Sequence, residues 1–101
     1  MQYGITMYDY DYCKNKCVGK RKIGEAVFGS RDEALLFARL AAEEEADELN
    51  GILFRDGSAD EDESFGVCED EERLRNGYID INYYTDKVTA LVRTYVIEEA
   101  A

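Results

Sequence analysis

Residues 30–51, SRDEALLFARLAAEEEADELNG, decide the fold. Ser30-Arg31-Asp32-Glu33 is a capping box: the Ser30 hydroxyl is placed to accept from the Glu33 amide, and the Glu33 carboxylate to reach back to the cap. Asn50-Gly51 supplies a stop, because glycine after the last helical residue takes the left-handed conformation at little cost. At about 100° per residue, Ala34, Leu35, Ala38, Ala41, Ala42 and Leu49 fall on one side of the helix so bounded. That stripe is smooth, and its alanines let the helix approach a sheet closely. Leu36, Phe37 and Leu40 lie elsewhere, so the first half of the helix is apolar nearly all round and needs a second covering surface.

The flanking segments read as strands. YGITMYDYDY, residues 3–12, alternates with Tyr3, Ile5 and Met7 on one face and Tyr8, Tyr10 and Tyr12 on the other. Both faces carry bulk, which predicts a strand interior to a sheet. KIGEAVFG, residues 22–29, reads as the next strand, joined to the first by a hairpin loop, CKNKCVGKRK. After Gly51, ILF reads as a short edge strand, RDGSADEDES as an acidic loop around 56–64, and Phe65 to Cys68 as a brief strand. Asn76-Gly77 signals a turn. YIDINYY, TDK and VTALVRTYVIE then make a long hairpin, whose second arm, apolar on both faces, reads as a central strand. The expectation is one α+β domain spanning 1–101, with a single helix on an antiparallel sheet of about four to five strands, ββα followed by strands ending in a hairpin.

The charge is concentrated. Between Glu43 and Glu72 stand fourteen carboxylates against one base, Arg55, so that stretch carries −13 of a whole-chain net charge of −11 and the rest of the chain is near neutral. A balance this acidic argues against nucleic acid, anionic membranes or phosphate-rich ligands as direct partners and favours a basic protein or a cation. No signal-like start or long apolar run is present, and three cysteines, Cys13, Cys17 and Cys68, make an odd set best kept reduced. These features predict a soluble protein of the cytoplasm.

Catalytic and metal chemistry find little here. Without histidine there is no histidine base and no Cys-His or Ser-His pair, and Gly24 and Gly29 do not build a phosphate loop, so no enzyme is expected. Three thiols fall short of a structural zinc set. Asp56, Ser58, Asp60 and Asp62 match alternate positions of a calcium loop, but Glu61 stands where glycine is needed and Val67 where glutamate is. No cofactor or metal is expected; a small-ligand or calcium-type cation-binding sensor using this loop stays open as an alternative, as does a structural homodimer that seals the tyrosine face.

The acids at the helix end carry more information. Glu43, Glu44, Glu45, Asp47 and Glu48 occupy its last two expected turns, where each opposes the helix dipole by roughly 0.3–1 kcal/mol, and Glu43/Asp47 and Glu44/Glu48 are like-charged pairs one turn apart. Local losses of this kind point to a binding surface. The candidate partner-binding residues are therefore Glu43, Glu44, Asp47, Glu48, Asp60, Glu61, Asp62, Glu63, Glu69, Asp70 and Glu71, with Tyr8 and Tyr10 from the run Tyr8-Asp9-Tyr10-Asp11-Tyr12 as aromatic contacts for arginines. The basic cluster Lys14, Lys16, Lys20, Arg21 and Lys22 balances the acidic half.

A short acidic α+β chain without a catalytic motif, built around EALLFARLAAEEEADELNG, resembles the small acidic proteins of phages and mobile elements, anti-CRISPR proteins among them. Many of these block a nuclease by occupying its nucleic-acid groove. The resemblance is one of size, charge and helix style, and it implies an inhibitor in the cytoplasm of a bacterial host, a nucleic-acid mimic that meets the basic cleft of a nucleic-acid-processing enzyme, a host-defence nuclease.

Overall fold

The computed structural model describes residues 2–11, 16–22, 28–55 and 63–100. In chain order these form β1 (Gln2–Asp11), β2 (Lys16–Lys22), α1 (Arg31–Arg55), β3 (Ser64–Val67), α2 (Glu71–Arg75), β4 (Tyr78–Tyr84) and β5 (Thr89–Ala100). All five strands lie in one antiparallel sheet in the order β2-β1-β5-β4-β3. The first and last strands of the chain are thus neighbours at its centre. The fold is α+β, one long helix on a five-stranded antiparallel sheet, and no helix among the described residues is long and apolar enough to cross a membrane.

Strand alternation puts the core on one face. Ile5 and Met7 of β1 pair with Ile97 and Tyr95 of β5, and Tyr95 pairs in turn with Ile79 of β4. These side chains and Ile81 form a buried cluster with Ala34, Ala38, Ala42 and Ala46 of α1. The alanines are the only fully buried side chains that the helix contributes to that cluster, so α1 meets the sheet along a narrow seam. Leu35, Ala41 and Leu49 pack at its margins.

Several expectations change. The second strand is Lys16–Lys22, inside the segment read as a loop; of KIGEAVFG, residues 23–27 lie outside the described residues, and Phe28 joins the sheet only through an isolated bridge to Tyr3, with backbone bonds of 2.8 Å in both directions. KCVGKRK lacks the apolar alternation that marks a strand; it is the outermost strand of the sheet, and among the described residues no further strand demands packing from it. Of the acidic loop expected around 56–64, residues 56–62, with the calcium-like positions Asp56 to Asp62, lie outside the described residues, and Ser64 opens β3.

The helix does not stop at Gly51. It runs on through ILF, the expected edge strand, to Arg55. The glycine costs a helix interior about 1 kcal/mol, a penalty the neighbouring turns outweigh. Leu49 packs on the core, and Asn50 reaches across to β3, its Oδ1 accepting from the Phe65 amide at 2.7 Å and its Nδ2 donating to the Phe65 carbonyl at 2.9 Å. Asn50 is therefore a clasp on an edge strand, where the dipeptide Asn-Gly had read as a terminator. The turn at Asn76-Gly77 is as expected: Gly77 sits at φ +84°, and a Cβ there would approach the Arg31 guanidinium at 3.2 Å and the Ile97 carbonyl at 3.4 Å.

The short α2 was not expected. Asp70 caps it, its carboxylate accepting from the amides of Glu72 (2.9 Å) and Arg73 (3.4 Å). In sequence that aspartate is one more acid in an acidic run.

Replacing Asn50 with alanine strands both backbone groups of Phe65, and urea denaturation should show a loss of about 1–3 kcal/mol. Ala42→Leu, which overfills the seam, should cost a similar 1–3 kcal/mol by the same measurement.

Candidate functional site

The acidic residues of α1 divide by direction. Glu43, Glu44, Asp47 and Glu48 stand exposed on the outer surface of the helix. Glu45 turns inward and meets the Arg93 guanidinium of β5, Oε1 to Nη1 at 2.7 Å, while Asp9 of β1 takes the Arg93 Nε at 2.6 Å. Burial alone would lower the Arg93 pKa; its hydrogen bonds to Asp9 and Glu45 and their charge outweigh it, and the net shift is upward, so Arg93 stays charged between two carboxylates. On a helical wheel Glu45 falls within the apolar stripe, which suggests that the stripe ends before it; the stripe instead continues to the buried Ala46, and Glu45 sits on it because the half-buried Arg93 faces it there.

Since α1 continues to Arg55, the residues from Glu43 to Glu48 are in its middle. The dipole argument for a functional helix end fails for that reason: the macrodipole acts within the last turn, and these acids are beyond its reach. What remains is the repulsion within the one-turn pairs, roughly 0.2–0.5 kcal/mol each.

Arg39 organises one flank of this surface. It pairs with Glu43 at 3.5 Å and approaches Glu69 at 3.8 Å, drawing the segment before α2 toward the helix. Among the described residues no cation pairs with Glu44, Asp47 or Glu48. Glu71 is exposed on the first turn of α2, Asp70 is occupied as its cap, and Glu63 is half-buried before β3. Asp60, Glu61 and Asp62 lie outside the described residues.

Tyr8 and Tyr10 are not part of that surface. They belong to the face of the sheet turned away from α1, where Tyr8 Oη is 3.5 Å from Glu98 and its ring lies under Lys20 Nζ at 5.5 Å. The same face holds a cluster that sequence reasoning missed. Asp80, buried between Ile79 and Ile81 in sequence but opposite to them in direction, takes both Nε and Nη2 of Arg73 at 2.9 and 3.0 Å and the hydroxyl of Thr94. The Arg73 guanidinium also stacks on the Tyr78 ring at 4.2 Å. Its hydrogen bond to Asp80 raises the Arg73 pKa against the effect of burial, and burial raises that of Tyr10 nearby. The only signal in the sequence is an aspartate at mid-strand between two core isoleucines. Every buried side-chain polar atom among the described residues has a partner, so this cluster is a fastening between α2 and the sheet.

Among the described residues no group of three or more Cys, Asp or Glu side chains is arranged to hold a metal ion. No family model, curated protein or solved structure matches the chain.

Carboxylates with a structural role should separate from exposed ones by stability. Glu45→Ala is expected to lower the unfolding free energy by about 1–3 kcal/mol, through the loss of a charged hydrogen bond to Arg93. Glu44→Gln and Glu48→Gln should each stay within about 0.5 kcal/mol of wild type, all read from urea titrations.

Proposed function

We propose that this protein is a non-enzymatic acidic binding protein whose outer helix face docks into the basic nucleic-acid cleft of a nucleic-acid-processing enzyme and blocks it, as the resemblance to phage inhibitors implies. The observation that carries this reading is the row of exposed carboxylates at mid-helix, Glu43, Glu44, Asp47 and Glu48. They fall within about 7.5 Å of helix axis. That is close to the charge density of duplex DNA, which presents one phosphate charge per about 1.7 Å. Glu69 beside Arg39, and Glu71 on α2, extend the same sign of charge outward. On this reading Tyr8 and Tyr10 drop out of the contact, since they stand on the opposite side of the sheet.

The test is retention of nucleic-acid enzymes from a bacterial lysate on the immobilised protein. Retained enzymes should be displaced by added duplex DNA and should elute over roughly 50–200 mM salt. The variant Glu44→Lys/Asp47→Lys/Glu48→Lys should release them. Retention that survives both DNA and the triple reversal would rule the reading out.

A further inference from the structure

The carboxylates are not alone on the outer surface of α1. Leu36 and Leu40 are 61% and 57% exposed, and Phe37, whose ring lies 5.3 Å from that of Phe28, is still 43% exposed. The steps from Leu36 to Leu40 to Glu43 to Asp47 are four, three and four residues, so these side chains share one line along the helix. The line covers about 17 Å. Its first half is apolar and its second half acidic. Beside Leu36, where α2 comes against α1, Asp32, Leu35, Leu36, Arg39 and Leu74 enclose an open hollow of about 220 Å³. An apolar cavity of about 150 Å³ accepts benzene, so this one has room for a single large aliphatic or aromatic side chain. A nucleic-acid mimic held by charge alone would have no use for such a surface.

We infer that α1 receives an amphipathic helix of a basic protein, with one large apolar side chain of that helix seated in the hollow against Leu35, Leu36 and Leu74, a second apolar contact on the exposed Leu40, and its lysines or arginines meeting Glu43, Glu44, Asp47 and Glu48. The inference rests on the proposed docking of this face to a basic protein and specifies the contact. Charge complementarity selects the occupant: the apolar line runs into carboxylates at one end and is bordered by Asp32 and Glu33 at the other, so an uncharged or acidic helix is disfavoured. Leucines supply the part of the affinity that salt does not screen, and carboxylates the part that it does.

Two labelled probes distinguish the contributions by fluorescence anisotropy: a peptide of about four helical turns with leucines along one face and lysines on its flanks, and an oligolysine of equal charge. The amphipathic peptide should bind at least tenfold more tightly than oligolysine at physiological salt. Leu36→Ser/Leu40→Ser should remove that tenfold advantage while leaving oligolysine binding unchanged, and Glu44→Gln/Asp47→Asn/Glu48→Gln should weaken both probes at low salt. Because Leu36 and Leu40 are exposed, the urea midpoint of the serine variant should match wild type, which excludes misfolding as the cause. Equal binding of the two probes, or an amphipathic peptide indifferent to the serine variant, overturns the inference. If instead the carboxylate variant changes neither probe, the docking of the acidic face itself fails.

Discussion

The close approach of α1 to the sheet along Ala34, Ala38, Ala42 and Ala46 sets the terms for everything else in this molecule. Four small side chains, one per turn, bring the helix backbone near Ile79, Ile81, Tyr95 and the first strand, and the bulk of the core is supplied by the sheet. A seam so narrow buries little of the helix circumference. The larger apolar residues of its first half and the acids of its middle are consequently left outside, and the outer surface of α1 is free to be specified by something other than folding.

Around this seam, charge is used for fastening as well as for surface. Arg93 is held by Asp9 from the first strand and Glu45 from the helix, tying three elements at one point. Arg73 and Asp80 do the same for α2 on the far side of the sheet, with Thr94 and the Tyr78 ring completing the contact. Such pairs cost desolvation, and their value lies in fixing which element sits where. Asn50 adds an uncharged fastening, two hydrogen bonds to the backbone of Phe65 that hold β3 against the helix. The same short edge strand pairs with β4 from Ser64 to Val67, and Val67 packs against the core.

The acidic residues therefore do three different things. Glu45, Asp9 and Asp80 are counter-ions to arginines, Asp70 is a helix cap, and Glu43, Glu44, Asp47 and Glu48 are exposed in a row that continues the line of Leu36 and Leu40. Among the described carboxylates of α1, Glu44, Asp47 and Glu48 have no cationic partner, whereas Glu43 is shared with Arg39. On the proposed reading, the leucines beside them would let a basic surface be met by apolar contact as well as by charge, a distinction that comes from the helix face, since net charge is blind to it.

Local patterns determined much of this protein. The Ser30 cap starts the helix at Arg31, alternation set the directions of Ile5, Met7, Ile79 and Ile81, the positive φ of Gly77 was legible in Asn-Gly, and bulk on both faces marked the last strand as central. These are near-neighbour effects, and near neighbours are what a sequence displays. Where distant segments compete, the tertiary structure decided. Asn50-Gly51 reads as a stop until Phe65 claims the asparagine. Glu45 and Asp80 look like misplaced charges until Arg93 and Arg73 arrive, and the polar KCVGKRK becomes a strand only because β1 offers it an edge. A partner on another element, seven to 84 residues away, leaves no periodicity at the site it acts on, so the identity of each of these acids was settled only when the chain closed on itself.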